Sequence, residues 1–277
     1  MDFYKGNIPI LDPDDRHADV VDTLNPKGVS RGYVERDWSL YPSDFLASPS
    51  QIKLIEPSDY DAWYDEEEEQ RSSLEHLYLS GPGGSPAFVN LDQNGHGFCW
   101  SYSNGHALMI ERLKANQPLV RLNPHSTAAI IKGGRDEGGW CGLAAKFIRE
   151  HGMASEEFWP KHSLSLRNDT PACRANMSLH RVVEDWVDLT KEVYDQNLTK
   201  RQLDTCLFNK IPCPTDFPWW SHSVCALRCV RIEGGSWGIL ILNSWLNWGR
   251  HGLAVLRGSR SIPGGAVAVR SSVASVS

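Results

Sequence analysis

The feature that most limits the fold is a change of hydrophobic period near residue 210. Before it, apolar residues recur at helical spacing. "CWSYSNGHALMIERL" runs from Cys99 with no proline until Pro118, and Glu111 and Arg112 sit at its charged end. "GGWCGLAAKFIREHG" reads as a second helix, opened by Gly138–Gly139 and stopped by Gly152, a residue suited to the position after a helix. "TKRQLDTCLFNK" is a third. Beyond it the chain is strand-like: "HSVCALRCVRI" and "SWGILILNSW" flank Gly234–Gly235, which predicts a hairpin. Helices first and strands later predict an α+β fold rather than βαβ winding. The tail, "SRSIPGGAVAVRSSVASVS", is small and alternating, either a late edge strand or a peripheral arm.

With 277 residues, 41% of them hydrophobic, the chain is long enough for one large domain or two packed lobes. A net charge of -6 with no basic stripe argues against nucleic acid as a partner. The start, "MDFYKGNIPILDPDD", carries no secretory signal pattern, and no run reaches the roughly 18 apolar residues of a membrane span. These readings predict a soluble, cytoplasmic protein. Seven cysteines without CxxC pairs favour reduced thiols. Cys225 and Cys229 lie on a predicted strand, about 13 Å apart, too far for a disulfide and awkward for one ion, so no metal or other cofactor is expected. Residues 1–32 read as an N-terminal arm. Trp38 anchors a short strand or hooked segment, and 44–85 is an acidic insertion. Its acid block reads as a solvated face, a lid or a docking element.

"DQNGHGFCWSYS" puts Cys99 at a helix start, where unpaired N–H groups and the macrodipole favour a thiolate. Free cysteine is also among the most buried residue types, so a nucleophile needs a base, an orienting group and an oxyanion donor. Gln93, six positions earlier, can fold back over the glycine-spaced loop and join the Cys99 N–H in holding an oxyanion. Among ten histidines, His222 stands out: it opens a strand and follows the water-excluding "FPWW". Two asparagines, Asn243 and Asn247, lie where the hairpin returns. A symmetric turn sets Asn247 opposite His222, and local geometry does not choose between them.

The order Gln, Cys-Trp, His, Asn-Ser-Trp resembles the papain-like cysteine peptidases. The likeness extends to "GGWCGLAAKFIREHGMASEEFWP", to "SHSV", to "LNSWLNWGRHGLAVLRG" and to "YVERDW", and so covers 33–258 apart from the insertion. It implies a two-lobed papain-like α+β fold, a helical lobe and a β-barrel-like lobe with the active-site cleft between them. It further implies peptide-bond hydrolysis through a Cys99 thioester, with His222 as acid/base and Asn243 orienting it. Gln93 would stabilise the oxyanion and Trp245 shield the pair. Gly138 and Gly139 are expected to pair with an extended peptide, and Trp140 and Cys141 to line the main side-chain pocket. The family's disulfide positions are missing; His96 stands where one cysteine is expected. No long prosegment precedes the core, so the family's usual zymogen control is not expected. Residues 259–277 remain as a C-terminal tail. The alternative is a papain-like domain serving as a structural component of a larger assembly, such as a virus particle, with other proteins of that assembly as partners.

Overall fold

A computed structural model describes residues 2–13, 32–47, 53–182, 186–192 and 194–269. The rest of the expected arm and the last eight residues of the tail lie outside the described residues.

The helical half is built around α3 (Cys99–Lys114), which follows α1 (Tyr60–Gln70) and α2 (Leu74–Tyr78). Every residue of α3 from Cys99 to Arg112 is buried, so it is a central helix rather than an amphipathic surface one. α4 (Pro124–Ile131) and α5 (Cys141–His151) pack against it. Gly152 ends α5 as expected: φ is +84°, and a Cβ there would stand 1.7 Å from the Met177 carbonyl oxygen. α6 (Pro171–Ser178) and α7 (Gln196–Phe208) complete the helices.

The strands form one open sheet. In chain order they are β1 (Phe3–Tyr4), β2 (Ile8–Leu11), β3 (Trp186–Asp188), β4 (Cys213–Phe217), β5 (His222–Arg231), β6 (Trp237–Leu242), β7 (Leu253–Arg257) and β8 (Gly265–Val269). Their spatial order is β1-β2-β7-β6-β5-β4-β8-β3. The expected hairpin is β5–β6, antiparallel from Arg231↔Trp237 to Cys225↔Leu242. The strand half is therefore an open sheet, not a closed barrel, with β1 and β3 at its edges.

Two segments differ from the sequence reading. The first is the start of the chain, expected as an arm. β1 and β2 extend the sheet, β2 lying parallel to β7 through Ile10↔Val255, and Ile8, Ile10 and Leu11 are buried in the main core. The tail, expected as a late edge strand or a peripheral arm, does contain a strand, β8, which is buried and paired on both sides, with β4 and β3.

The second is the acidic insertion. Tyr60, Tyr64, Leu74 and Tyr78 join the main core, and the acid block clamps a buried arginine on β5. Arg228 bonds Glu67 at 2.9 Å, Glu75 at 2.8 Å and also Glu68, with its guanidinium 4.4 Å from the Tyr64 ring. Lys5 reaches Glu68 and Glu75 from the β1–β2 turn. A lid would keep its acids in water. Here Glu67 and Glu75 are buried because Arg228 compensates them.

Candidate active site

Cys99 opens α3 and is wholly buried. Its thiol hydrogen-bonds with the backbone and hydroxyl of Ser223, the second residue of β5. The sulfur thus lies where the helical half meets the start of β5. Burial pushes the thiol up to about 12; nearby Asp216 adds to this, and hydrogen bonds at Ser223 and the Trp100 N–H oppose it. The helix-terminus effect expected to lower this thiol is outweighed by desolvation.

His222 is the first residue of β5, and its Nε2 lies 2.8 Å from Asn243 Oδ1. With Nε2–H donated to that oxygen, Nδ1 is the ring atom left for acid–base work. The Asn243 Oδ1 also accepts the Ser244 N–H at 2.8 Å, which fixes the amide's orientation. Trp245 stacks 4.4 Å from the imidazole, Trp220 4.8 Å, and Trp248 backs Trp220 at 5.6 Å. Asn247 is exposed in a turn with φ +60°. The hairpin could not be read by symmetry because its register shifts between Ala226 and Arg228, and β6 ends at Leu242. The ladder stops at Cys225↔Leu242, and the chain just beyond it brings Asn243, not Asn247, to the imidazole.

Gln93 is wholly buried and tied to the strand half. Its Oε1 accepts the Ser244 hydroxyl at 2.7 Å, its N–H donates to the Ser244 carbonyl at 2.9 Å, and its Nε2 donates to the His96 carbonyl at 2.7 Å. One residue pair, Asn243–Ser244, therefore positions both the imidazole and the glutamine.

Trp140 and Cys141 line a cavity of about 180 Å³ together with Tyr33, Arg36, Thr190 and Asp216. Trp140 is further packed by Tyr41, Phe45 and the Arg36 guanidinium. Arg36 in turn pairs with buried Asp188 at 2.5 Å.

Gly138 and Gly139 lie against an extended segment of the protein's own chain. The Gly139 N–H donates to Gly32 O at 2.9 Å, and the Val34 N–H to Gly139 O at 2.9 Å. The Tyr33 N–H reaches the Ser221 carbonyl, next to His222, at 3.2 Å. Gly32 itself presses on Gly97, two residues before Cys99: a Cβ there would stand 2.1 Å from the Gly97 carbonyl oxygen. Residues 32–34 form a strap across both sides of the site. Gly139 is also glycine for packing, since a Cβ would meet the Trp100 ring at 2.7 Å.

Sequence reasoning missed the strap, Ser223, Ser244 and Asp216. The available signal for Asp216 was an acid inside the short strand "CPTDF", a poor place for a charge without a task.

No family model matches the chain, and no curated protein matches it. Among solved structures it is similar to xylellain, a cysteine protease from Xylella fastidiosa, at 15% identity and a TM-score of 0.58. That match covers 88% of this chain and 97% of the other. It is similar to procathepsin L 3 of the Tenebrio molitor larval midgut at 15% identity and a TM-score of 0.51, covering 93% and 87%. It also matches the bromelain protease from Ananas comosus, solved with the E64 inhibitor, at 15% identity and 0.50, covering 67% and 93%. Mixed α+β architecture and these likenesses define the class: the chain has the papain-like fold of cysteine proteases. No helix among the described residues is long and apolar enough to cross a membrane.

Proposed function

We propose that the chain is a cysteine peptidase acting on peptide or protein substrates, held in a closed form by its own residues 32–34. The observation that carries this reading is the 2.8 Å bond from His222 to Asn243, roofed by Trp245, at the strand that also meets the Cys99 thiol.

Cys99 passes its proton to His222 Nδ1, and the thiolate attacks the scissile carbonyl. The resulting oxyanion is held by the Cys99 N–H and the Gln93 side-chain amide. The imidazolium then protonates the leaving amine, giving a thioester and a new N-terminus. Water, deprotonated by His222, attacks the thioester and releases the acid and the free thiol. Asn243 holds the imidazole in one orientation throughout. Trp140 and Cys141, in the lining of their cavity, receive a substrate side chain. Gly138 and Gly139 take over the main-chain pairing with substrate once the strap leaves.

A peptidyl epoxide tests the assignment, read by peptide mass spectrometry on the intact chain. Cys99 should label faster than the other six cysteines, with a bell-shaped pH profile. Asn243→Ala should slow labelling at least tenfold and Asn247→Ala less than twofold. A folded protein in which Cys99 reacts no faster than its neighbours, strap displaced or not, would leave the fold as a non-catalytic module.

A further inference from the structure

Besides the His222–Asn243 pair, a second polar chain lies at the start of β5. β4 and β5 place Asp216 directly opposite Ser223, and the Ser223 hydroxyl donates to Asp216 Oδ1. The same hydroxyl is a hydrogen-bond partner of the Cys99 thiol. The other carboxylate oxygen, Oδ2, accepts the Cys141 N–H at 3.1 Å at the start of α5. Asp216, Ser223 and Cys99 are all buried, so no bulk water offers a substitute donor at low cost.

A serine hydroxyl has one hydrogen. While Asp216 is ionised, that hydrogen belongs to the carboxylate, and the sulfur can only give its own S–H to the serine oxygen. Ionising Cys99 in this state leaves the thiolate only the Ser223 and Trp100 backbone donors, with a carboxylate charge nearby and no help from the hydroxyl. When Asp216 takes up a proton from solvent on Oδ1, it becomes the donor to Ser223. The serine hydrogen then turns to the sulfur, whose own proton passes to His222. The Cys141 N–H keeps Oδ2 an acceptor and the Cys141 thiol is a further hydrogen-bond partner of the carboxylate, so the added proton goes to Oδ1.

We propose that Ser223 is a positioning residue whose single hydrogen is contested by Asp216 and the Cys99 sulfur, so that the protonation state of Asp216 controls ionisation of the nucleophile. This rests on Cys99 being the nucleophile. Burial, with Asp188 adding to it, pushes Asp216 up to about 6, into a range where modest changes of pH select between the two states. The other titratable and charged groups around Asp216 are the Cys141 and Cys99 thiols, Tyr33, Glu35, Tyr194, and Arg36, which is bound to Asp188.

The test is alkylation of Cys99 in the full chain by iodoacetamide, followed by peptide mass spectrometry between pH 4.5 and 8.5. Asp216→Asn is a mimic of the protonated state. Its oxygen must face the Cys141 N–H, which leaves its NH2 donating to Ser223. It should raise the Cys99 rate about tenfold at pH 7.5, the size of one hydrogen bond to a charged partner, and less than twofold at pH 4.5. Ser223→Ala should lower the rate about tenfold at pH 4.5 and leave it unchanged at pH 7.5. In the Ser223→Ala background, Asp216→Asn should add less than twofold.

An Asp216→Asn effect that survives in full without the hydroxyl overturns the proposal, because the carboxylate would then act through space. So does a Ser223→Ala loss of equal size at both pH values, which a packing role alone produces. Should Asp216→Asn fail to fold, the pH dependence of Ser223→Ala decides alone. The peptidase reading is judged separately, by whether wild-type Cys99 outreacts the other six thiols. Shifts between variants without that preference would keep the relay and sink the peptidase.

Discussion

Replacing Gly32 with alanine should open the site. The strap is held over the groove by three main-chain hydrogen bonds, Gly139 to Gly32, Val34 to Gly139 and Tyr33 to Ser221. At about 1 kcal/mol net for each, the closed form is favoured by about 3 kcal/mol, a ratio of about 150 to 1. An alanine Cβ at 2.1 Å from the Gly97 carbonyl oxygen is well inside contact distance, and its neighbour is backbone that cannot swing aside. Gly32 also has φ +64°, which costs a residue with a Cβ about 1–2 kcal/mol. The two penalties together exceed what the three bonds supply, so the strap should leave its seat. The readout is epoxide labelling of Cys99, expected to rise by up to about 100-fold. Its pH midpoint should move down as water returns to the thiol. Gly6→Ala is the control, since Gly6 has φ +77° but a Cβ there meets nothing within 4 Å. If Gly32→Ala folds like the wild type and labels no faster, the strap does not gate the site, and the hydrogen bonds at Gly139 are merely structural.

Two predictions concern stability. Arg228→Met should cost about 3–5 kcal/mol in urea unfolding, because Glu67 and Glu75 would stay buried without a cation; a loss under 1 kcal/mol would mean water reaches them. Asp216 is the opposite case. Burial raises it to about 6 from an ordinary 3.8, so the native state holds a proton more readily than the unfolded chain. Its contribution is fully present below about pH 4 and lost as pH rises through 6. Asp216→Asn should therefore be more stable than wild type by up to about 3 kcal/mol above pH 7 and similar to it at pH 4. An unfolding free-energy difference that does not vary between those pH values would refute the shift.

The contrast between what the sequence revealed and what it hid follows from which part of the chain makes each contact. Cys99, His222, Asn243 and Gln93 could be picked out as candidates because the role proposed for them is one of side-chain chemistry, and few residue types can fill it. The α5 helix is legible because its buried side chains repeat at the helical period, and the β5–β6 hairpin because two apolar runs flank Gly234–Gly235. Arg228 and its carboxylates share no local pattern, being about 150 to 160 residues apart, so an acid block that is half core looked like a solvated face. The bulge between Ala226 and Arg228 moves the register by one residue without any glycine to mark it, and the ladder stops at Cys225↔Leu242, so a symmetric extrapolation of the hairpin cannot place Asn243 or Asn247. β1 and β2 are short and bracket a turn, so neither is long enough to show an alternation. The strap is the extreme of this series. Each of its three bonds is made by peptide groups, which every residue carries, and its one sequence requirement is the missing Cβ at Gly32. A groove that recognises main chain accepts whatever extended segment lies nearest at high local concentration. The peptide groups at Gly139 that are proposed to receive substrate are thus the same ones that hold the chain's own strand.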